Sequence, residues 1–276
     1  MGAHARREGT DPGGDGAAGL AGSVDTIRHP LDDPAFRARC RDELEAHGAL
    51  VLPGFLTAGA LARVRAEADA RRHLAHFTSG EHNAYLAPSD PAFADDHPRN
   101  RRVASSKGCI TTDQVPADSA LRALHASDAF RAFLCDVLGE RELHGYADPL
   151  SSINVHYAGA GQELGWHYDE SAFAVTLLIT KPVGGGVFEW VRDARDADAG
   201  DMGYARTRRV LDGGETPASL PIDEGALVLF RGRNSLHWVT PTVGDVTRTL
   251  VVLAYNAEPG VSLSEAARMT FFGRLG

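Results

Sequence analysis

Two histidines and an aspartate could bind one metal ion together. His167 and Asp169 are separated by a single residue within Gly165–Glu170, and His237 follows well downstream. In an extended segment, residues two apart project to the same face, so His167 and Asp169 can direct an imidazole and a carboxylate to one point. Two histidines and one carboxylate on one side of an ion leave its other positions free, the arrangement of non-haem Fe(II) oxygenases. The spacing therefore predicts a metal centre whose ligands are His167, Asp169 and His237.

A downstream arginine could bind an anionic co-substrate at this centre. Arg248 lies in the β-branched run Thr247–Ala254, which we expect to be a strand beside that of His237. A guanidinium binds a carboxylate through two parallel hydrogen bonds. Arg248 is therefore expected to bind the distal carboxylate of 2-oxoglutarate, while the keto acid and O₂ take the open positions on iron. Thr249 and Tyr157 are further candidates for cofactor binding, although alternation turns Thr249 to the opposite face and Tyr157 could equally be a core residue.

Four residues near the predicted centre are candidates for substrate contacts. Glu170 directly follows the carboxylate ligand and could pair with an ammonium or guanidinium group, although an exposed acid is the simpler interpretation. Asn154 lies on the predicted strand that leads to the first histidine, and Asn256 is either a pocket residue or a turn former. Trp238 follows a predicted ligand, but alternation should turn its ring away from the metal and into packing.

Composition excludes several classes of function. The 276 residues are 43% hydrophobic, carry a formal net charge of −9 and contain no long Lys/Arg run, which argues against nucleic acid as a partner. No apolar run approaches the roughly 20 residues of a membrane helix, and the N-terminus lacks the apolar stretch of a secretory signal. The cysteines Cys40, Cys109 and Cys135 are far apart and odd in number, so we expect free thiols and a cytoplasmic location. Whether the chain forms a homodimer is left open.

The elements that must position these residues change in character along the chain. Residues 1–28 are rich in Gly, Ala and Asp and are predicted to be a disordered tail. Residues 29–144 are predicted to be a helical support region, and residues 145–276 a catalytic core of short strands separated by Gly and Pro. We expect residues 29–276 to form one integrated, mainly β domain. Two segments read as loops: residues 74–117, a candidate second wall of the pocket, and the polar insertion 192–220, a candidate substrate lid.

The order of the predicted ligands and anion-binding residue resembles that of the Fe(II)/2-oxoglutarate-dependent dioxygenase superfamily. The resemblance covers roughly residues 145–276 and includes the sequence His-Trp-Val-Thr-Pro that begins at His237, followed by Arg248. Further stretches are similar to the standalone radical halogenases of free amino acids and their related hydroxylases. These stretches are Gly184–Trp190, Leu229–His237, Leu253–Gly260 and Phe271–Arg274.

This resemblance implies a fold and a reaction. The fold would be a double-stranded β-helix, a cupin-like jelly roll, with a helical N-terminal support. The substrate would be a free amino acid or a similar small polar metabolite. Halogenases of this kind need a small residue at the carboxylate position so that chloride can bind, and Asp169 therefore favours hydroxylation. Desaturation, cyclisation or halogenation at the same site is the first alternative, and a cupin-like metal-binding module without oxygenase activity is the second.

Overall fold

The computed structural model describes residue 20 and residues 22–276. Most of the predicted tail therefore lies outside the described residues. Its last part is not a tail, because Leu20 and Val24 are buried in the main core and Val24 forms an isolated β-bridge with Leu56. The hydrophobic side chains of this short segment are sufficient to attach it to the domain.

Six α-helices occur in the described part of the chain. They are α1 (Pro34–His47), α2 (Ala58–Arg71), α3 (Ala120–Ala126), α4 (Asp128–Leu138), α5 (Tyr204–Leu211) and α6 (Glu265–Phe272). The first confirms the sequence signals: the Asp33 carboxylate accepts hydrogen bonds from the first turn, Pro34 follows it, and Gly48 ends the helix with φ 74°. No described helix has the length and apolar character needed to cross a membrane.

Thirteen strands are present in the described residues. They are β1 (Ala49–Leu52), β2 (His76–Asn83), β3 (Arg102–Ile110), β4 (Ile153–Ala158), β5 (Leu164–His167), β6 (Ala174–Thr180), β7 (Gly184–Gly185), β8 (Phe188–Val191), β9 (Ala218–Leu220), β10 (Leu227–Phe230), β11 (Leu236–Val239), β12 (Thr242–Val243) and β13 (Arg248–Leu253). Ten of them follow the order β1-β10-β6-β13-β4-β3-β5-β11-β8-β9, β2 pairs with β3, and β7 and β12 form a separate pair. All pairings are antiparallel. The prediction of a mainly antiparallel β fold is confirmed.

Alternation along β4 separates a helix-facing side of the sheet from an interior side. Ile153, Val155 and Tyr157 belong to the main hydrophobic core, which also contains the buried residues of α1 to α4. Asn154 and His156 point the other way and line a small cavity. The helical layer therefore covers one side of the sheet and leaves the other side free to enclose a site.

Two predictions about the first half of the chain were wrong. Residues 74–117 are not mainly loop, because β2 and β3 form a long antiparallel hairpin across them. Moreover, β3 pairs with both β4 and β5, so the sheet begins well before residue 145 and the region 29–144 supplies some of its strands. Polar residues such as Ser105 and Ser106 do not indicate a strand by their type. They lie in one because of pairing with distant parts of the chain.

Residues 192–220 are also more structured than the predicted loop. They contain α5 and β9, and β9 pairs with β8. A second hydrophobic cluster holds α5 against the sheet through buried residues, among them Tyr85, Tyr168 and Val210. The three cysteines are free, as predicted.

Candidate metal centre

The three predicted ligands converge at the junction of β5 and β11. His167 and His237 are directly opposite each other in the antiparallel pair, with ring centroids 4.2 Å apart. One carboxylate oxygen of Asp169, Oδ1, lies 3.6 Å from Nε2 of His167 and 3.5 Å from Nε2 of His237. The three ligand atoms all lie within 4.8 Å of one another. Such a triangle can bind one cation, with the remaining coordination positions on the open side.

Hydrogen bonds fix the tautomer of both imidazoles. Nδ1 of His167 contacts the carbonyl oxygen of Gly165 at 2.8 Å, and Nδ1 of His237 contacts the carbonyl oxygen of Ser235 at 2.9 Å. A carbonyl can only accept, so each Nδ1 must donate and each Nε2 keeps its lone pair. Both lone pairs belong to the nitrogens that face Asp169, which is the state that metal ligation requires.

Electrostatics favours the ligating forms of His167 and Asp169. Burial, followed by the nearby His237, lowers the pKa of His167 to about 3, so its ring is neutral at physiological pH. Burial opposes ionisation of Asp169, but the adjacent His237 lowers its pKa below the ordinary value. A neutral imidazole at position 167 and an ionised carboxylate at position 169 are forms that bind a divalent cation.

Asp169 lies just beyond β5, where several contacts fix the backbone. Its N–H donates to the carbonyl of Gly232 at 3.2 Å. Arg195 donates to the carbonyls of both Asp169 (3.3 Å) and Arg233 (2.7 Å), and its guanidinium lies 4.2 Å from the centroid of the Tyr168 ring. The insertion that contains Arg195 therefore connects the segment carrying the carboxylate to the turn before β11.

Arg248 is a buried cation without a protein partner. Its side chain makes no hydrogen bond or ion pair with any residue in the described part of the chain, and burial lowers the pKa of its guanidinium to about 10. It faces the interior beside Ala158, its cross-strand partner on β4. Glycine is needed at position 186, where a Cβ would lie 2.8 Å from Cδ of Arg248. A buried unpaired guanidinium is costly, so this position fits an anionic ligand.

The other two predicted cofactor contacts point away from the centre. Tyr157 is fully buried on the helix-facing side, where its hydroxyl donates to the carbonyl of Ala68 at 2.8 Å. Thr249 is its cross-strand partner and shares that side. The prediction that Tyr157 and Thr249 contact the cofactor is not supported by this geometry. Strand alternation, which places residues two apart on one side, explains both positions.

A second cation, which is partly buried, lies on the interior side. Nζ of Lys107, on β3, donates to Nδ1 of His156 at 3.5 Å. Burial lowers the pKa of Lys107, and burial together with the charges of Lys107 and Arg248 keeps the pKa of His156 well below its usual value. Asn154 lines the same small cavity of about 210 Å³ and donates to the carbonyls of Leu150 and Ile153. This end of the site is therefore electropositive.

Two of the candidate substrate residues do not line a cavity beside the metal centre. Trp238 stacks on Trp166, with centroids 5.1 Å apart, and its Nε1–H donates to Glu189 at 2.8 Å. The expectation that alternation turns this ring away from the metal agrees with the structure. Asn256 forms a β-bridge with His144, and its buried amide nitrogen has no hydrogen-bond partner among the described residues.

A cavity of about 900 Å³ adjoins the carboxylate ligand. Asp169 and Glu170 line it together with mostly apolar residues, including Phe173 and Val252. Its cover comes from the C-terminal segment around α6, not from the insertion 192–220, none of which lines this cavity. The insertion 192–220, which the sequence left open as a lid or a solvated loop, therefore does not cover this cavity.

Sequence reasoning missed several features of the centre. Lys107 is not among them, because it belongs to the stretch 74–117 that the sequence offered as a second wall, although that stretch is a hairpin and not a loop. Phe188 and Phe230 pack their rings 5.5 and 4.9 Å from that of His237, forming an apolar wall. Gly232 packs against the side chain of Asp169, and no sequence pattern predicts that contact.

Solved structures confirm the fold. A 2OG-Fe(II) oxygenase-family oxidoreductase from Burkholderia pseudomallei is 16% identical, with a TM-score of 0.53 over 82% of this chain and 93% of that chain. A prolyl-4-hydroxylase from Pseudomonas putida is 15% identical, with a TM-score of 0.50 over 78% of this chain and 96% of that chain. HygX from Streptomyces hygroscopicus, solved with nickel, 2-oxoglutarate and hygromycin B, is 14% identical, with a TM-score of 0.53 over 81% of this chain and 88% of that chain. At identities this low, the structural similarity establishes a shared fold only, which is the jelly roll predicted above.

A family comparison goes further than the fold. The family model described as HalD, Halogenase D, matches residues 33–270. A search of curated proteins found no significant match. Because the family match includes the helical layer, the strands and the metal centre, this chain belongs to the halogenase D family and has the fold of the Fe(II)/2-oxoglutarate oxygenases.

Proposed function

We propose that this protein is an Fe(II)- and 2-oxoglutarate-dependent hydroxylase of a free amino acid or a similar small polar metabolite. The observation that carries the proposal is the carboxylate of Asp169, which lies within 3.6 Å of Nε2 of both His167 and His237. A carboxylate at this point completes a set of three protein ligands on one side of the ion. Iron would be bound by these three residues.

The same carboxylate separates hydroxylation from halogenation. A halogenase of this kind needs an open ligand position for chloride, whereas Asp169 occupies that position with an oxygen of its own. A second anion would have to displace a carboxylate oxygen that already lies 3.6 Å from Nε2 of His167 and 3.5 Å from Nε2 of His237. Membership of a family named for halogenation therefore does not by itself assign halogenation to this chain.

The interior of the site fits the remaining groups of 2-oxoglutarate. Arg248 is buried and unpaired among the described residues, and it would bind the distal carboxylate through two hydrogen bonds. The iron would supply activation of O₂, coupled to decarboxylation of 2-oxoglutarate to succinate. Burial holds His167 in its neutral form, and the apolar rings of Phe188 and Phe230 exclude water beside His237.

Charge at both ends of the pocket supports a zwitterionic substrate. Glu170 lines the cavity of about 900 Å³, and Lys107 lines the smaller cavity of about 210 Å³. Tyr146 and Phe271 line both, so the two cavities are adjacent. An ammonium group could approach Glu170 while a carboxylate approaches the electropositive end. A free amino acid carries both charges and is small enough for this space.

The test is a turnover screen with free amino acids. Purified protein, Fe(II), 2-oxoglutarate and air are incubated with each amino acid, and succinate is quantified while products are analysed by mass spectrometry. We expect one substrate or a few to stimulate succinate formation and to gain one oxygen atom. Asp169→Ala should lose hydroxylation and bind iron more weakly, whereas Gly80→Ala, on the exposed strand β2, should behave as wild type.

Other products would change the assignment. A product that loses two hydrogens indicates desaturation or cyclisation, and chlorine incorporation by the wild-type protein indicates halogenation. If no small metabolite stimulates succinate formation, the proposal is wrong. Full wild-type turnover by Asp169→Ala would show that the metal is not bound as described. Membership of an enzyme family leaves the alternative of a cupin-like binding module without support.

A further inference from the structure

The carboxylate of Asp169 is backed by the turn between β10 and β11. Its Oδ1 faces the two histidines, while a Cβ built on Gly232 would lie only 1.8 Å from Oδ2, 2.6 Å from Cγ and 3.0 Å from Cβ of Asp169. The backbone of the two residues is also joined, because the N–H of Asp169 donates to the carbonyl of Gly232. The aspartate side chain therefore occupies the space that a side chain at position 232 would need.

Space, and not backbone conformation, makes glycine necessary here. Gly232 is not among the glycines with positive φ, so alanine could adopt its backbone angles. Ordinary van der Waals contact at a Cβ begins at 3.4 Å, so an added methyl group would displace the carboxylate by more than an ångström. Ligand distances at a metal site tolerate only about 0.2 Å. A methyl group at position 232 and an unchanged carboxylate ligand at position 169 are therefore incompatible.

We infer that Gly232 is a positioning residue for the carboxylate ligand and determines whether that ligand can reach the metal. This inference rests on the proposed function, in which Asp169 completes the ligand set. Its consequence is that positions 169 and 232 are coupled: an aspartate at the first requires glycine at the second. When the aspartate side chain is removed, the requirement at position 232 disappears.

The inference is tested by a double-mutant cycle on metal binding. Wild type, Gly232→Ala, Asp169→Gly and the double variant are titrated with Co(II) by calorimetry in the presence of 2-oxoglutarate. We expect Gly232→Ala to raise the Kd for Co(II) about 10- to 100-fold in the wild-type background. In the Asp169→Gly background the same substitution should change the Kd by less than about twofold, since no carboxylate remains to be displaced.

Two controls separate this effect from a general loss of structure. Gly80→Ala adds a methyl group at a glycine with open space and no positive φ, and it should leave the Kd unchanged. Denaturant unfolding of all variants reports on folding. The double variant should be as stable as Asp169→Gly, because the added methyl group then has room. If the double variant fails to fold while Asp169→Gly folds, Gly232 is needed for another reason and the inference is wrong.

The outcomes also distinguish this inference from the proposed function. If Asp169→Gly binds Co(II) as tightly as wild type, Asp169 is not a ligand and the proposed function fails. If Asp169→Gly weakens binding but Gly232→Ala does not, the ligand assignment stands and the positioning role of Gly232 is overturned. Equal weakening by Gly232→Ala in both backgrounds likewise overturns it, because the effect would not pass through the carboxylate.

Discussion

Arg248 combines burial and charge in a way that an anionic ligand would offset. Its guanidinium has no partner among the described residues, although burial already lowers its pKa to about 10. We expect Arg248→Gln to raise the KM for 2-oxoglutarate about 10- to 100-fold, because charged hydrogen bonds contribute about 1.5–3 kcal/mol. Succinate formation measured across a range of 2-oxoglutarate concentrations gives this value.

The control for Arg248→Gln removes a surface charge. Arg141 is exposed and follows α4, and Arg141→Gln should leave the KM for 2-oxoglutarate unchanged. The Kd for Co(II) without 2-oxoglutarate should be the same in both variants and in wild type. An unchanged KM in Arg248→Gln would show that the co-substrate is bound by another cation, of which Lys107 is the nearest candidate on the interior side.

At the scale of single residues, the chemical role of a residue could be predicted from the sequence more readily than its contacts. His167, Asp169, His237 and Arg248 could be recognised because their types and alternation restrict what they can do. Contacts such as that between Gly232 and Asp169 join segments far apart in the chain, and a glycine carries no chemical signal. Tyr157 shows the opposite case. It is close in sequence to the metal ligands and was considered as a cofactor contact, but its hydroxyl lies in the core and donates to Ala68.

Among the elements, α5 anchors the metal-bearing strand. Thr207 is fully buried on this helix, and its hydroxyl lies 3.0 Å from that of Tyr85 and 2.9 Å from that of Tyr168. Thr207→Val keeps the shape but leaves the tyrosine hydroxyls without this partner, so we expect a loss of about 1–3 kcal/mol in the free energy of unfolding. Urea unfolding measures it, and Thr207→Ser should retain most of the stability because the hydroxyl remains. Equal stability of the valine variant and wild type would contradict the anchoring role.

The C-terminal helix α6 covers the larger cavity. Ala267 and Thr270 line that cavity, whereas Met269 on the same helix is half exposed and does not. Ala267→Phe would place a ring in the substrate space, and we expect it to raise the KM of the identified substrate about tenfold, a loss of roughly 1.4 kcal/mol of binding. The KM for 2-oxoglutarate should be unaffected, because its proposed contacts lie elsewhere.

Met269→Phe is the matched control for Ala267→Phe. It adds a ring to the same helix on the side that faces away from the cavity, and its substrate KM should equal that of wild type. If both variants raise the KM equally, α6 affects turnover through its stability. If neither does, substrate reaches the metal by another route.

Helices and strands could be predicted where their signals lie in neighbouring residues. They could not be predicted where the element depends on pairing with distant strands. The boundaries of β1 and the caps of α1 follow from turn and capping residues next to each element. By contrast, β2 and β3 contain many polar residues and are strands because each pairs with the other and with β4 or β5. The cover of the cavity could not be assigned either, since a long polar insertion and a short C-terminal helix are equally plausible lids until the fold places one of them.

Considered as a whole molecule, the chain holds several histidine rings partly or fully out of water. Burial lowers the pKa of five of them: His29, His82, His125, His156 and His167. Two of these, His29 and His125, lie outside the metal centre, where they hydrogen-bond to the carbonyls of Pro53 and Ala254. The metal-free protein should therefore lose stability in weak acid even where no metal ligand is involved.

The sign of this pH dependence follows from proton uptake on unfolding. Near pH 6.5 and below, the unfolded chain protonates histidines that the folded chain keeps neutral, so the free energy of unfolding falls as pH decreases. Each such histidine contributes up to about 1.4 kcal/mol per pH unit between its unfolded pKa and its lower folded pKa. Carboxylates with lowered pKa, such as Asp148, lose their contribution only at lower pH. Urea unfolding of the metal-free protein at pH 7.5, 6.5 and 5.5 therefore isolates the histidines.

His125 allows one of these contributions to be removed. Its ring stacks on Tyr255 with centroids 4.3 Å apart, and its Nε2 donates to the carbonyl of Ala254. His125→Gln keeps a hydrogen-bond donor but removes the stacked, titratable ring. We expect its free energy of unfolding at pH 7.5 to be lower than that of wild type. The further decrease in this free energy between pH 7.5 and 5.5 should be smaller than in wild type. His47→Gln, which removes a histidine from the exposed end of α1, is measured beside it as the matched control. A wild-type pH dependence in His125→Gln would mean that the ring becomes protonated in the folded protein, and that acid destabilises the molecule through other groups.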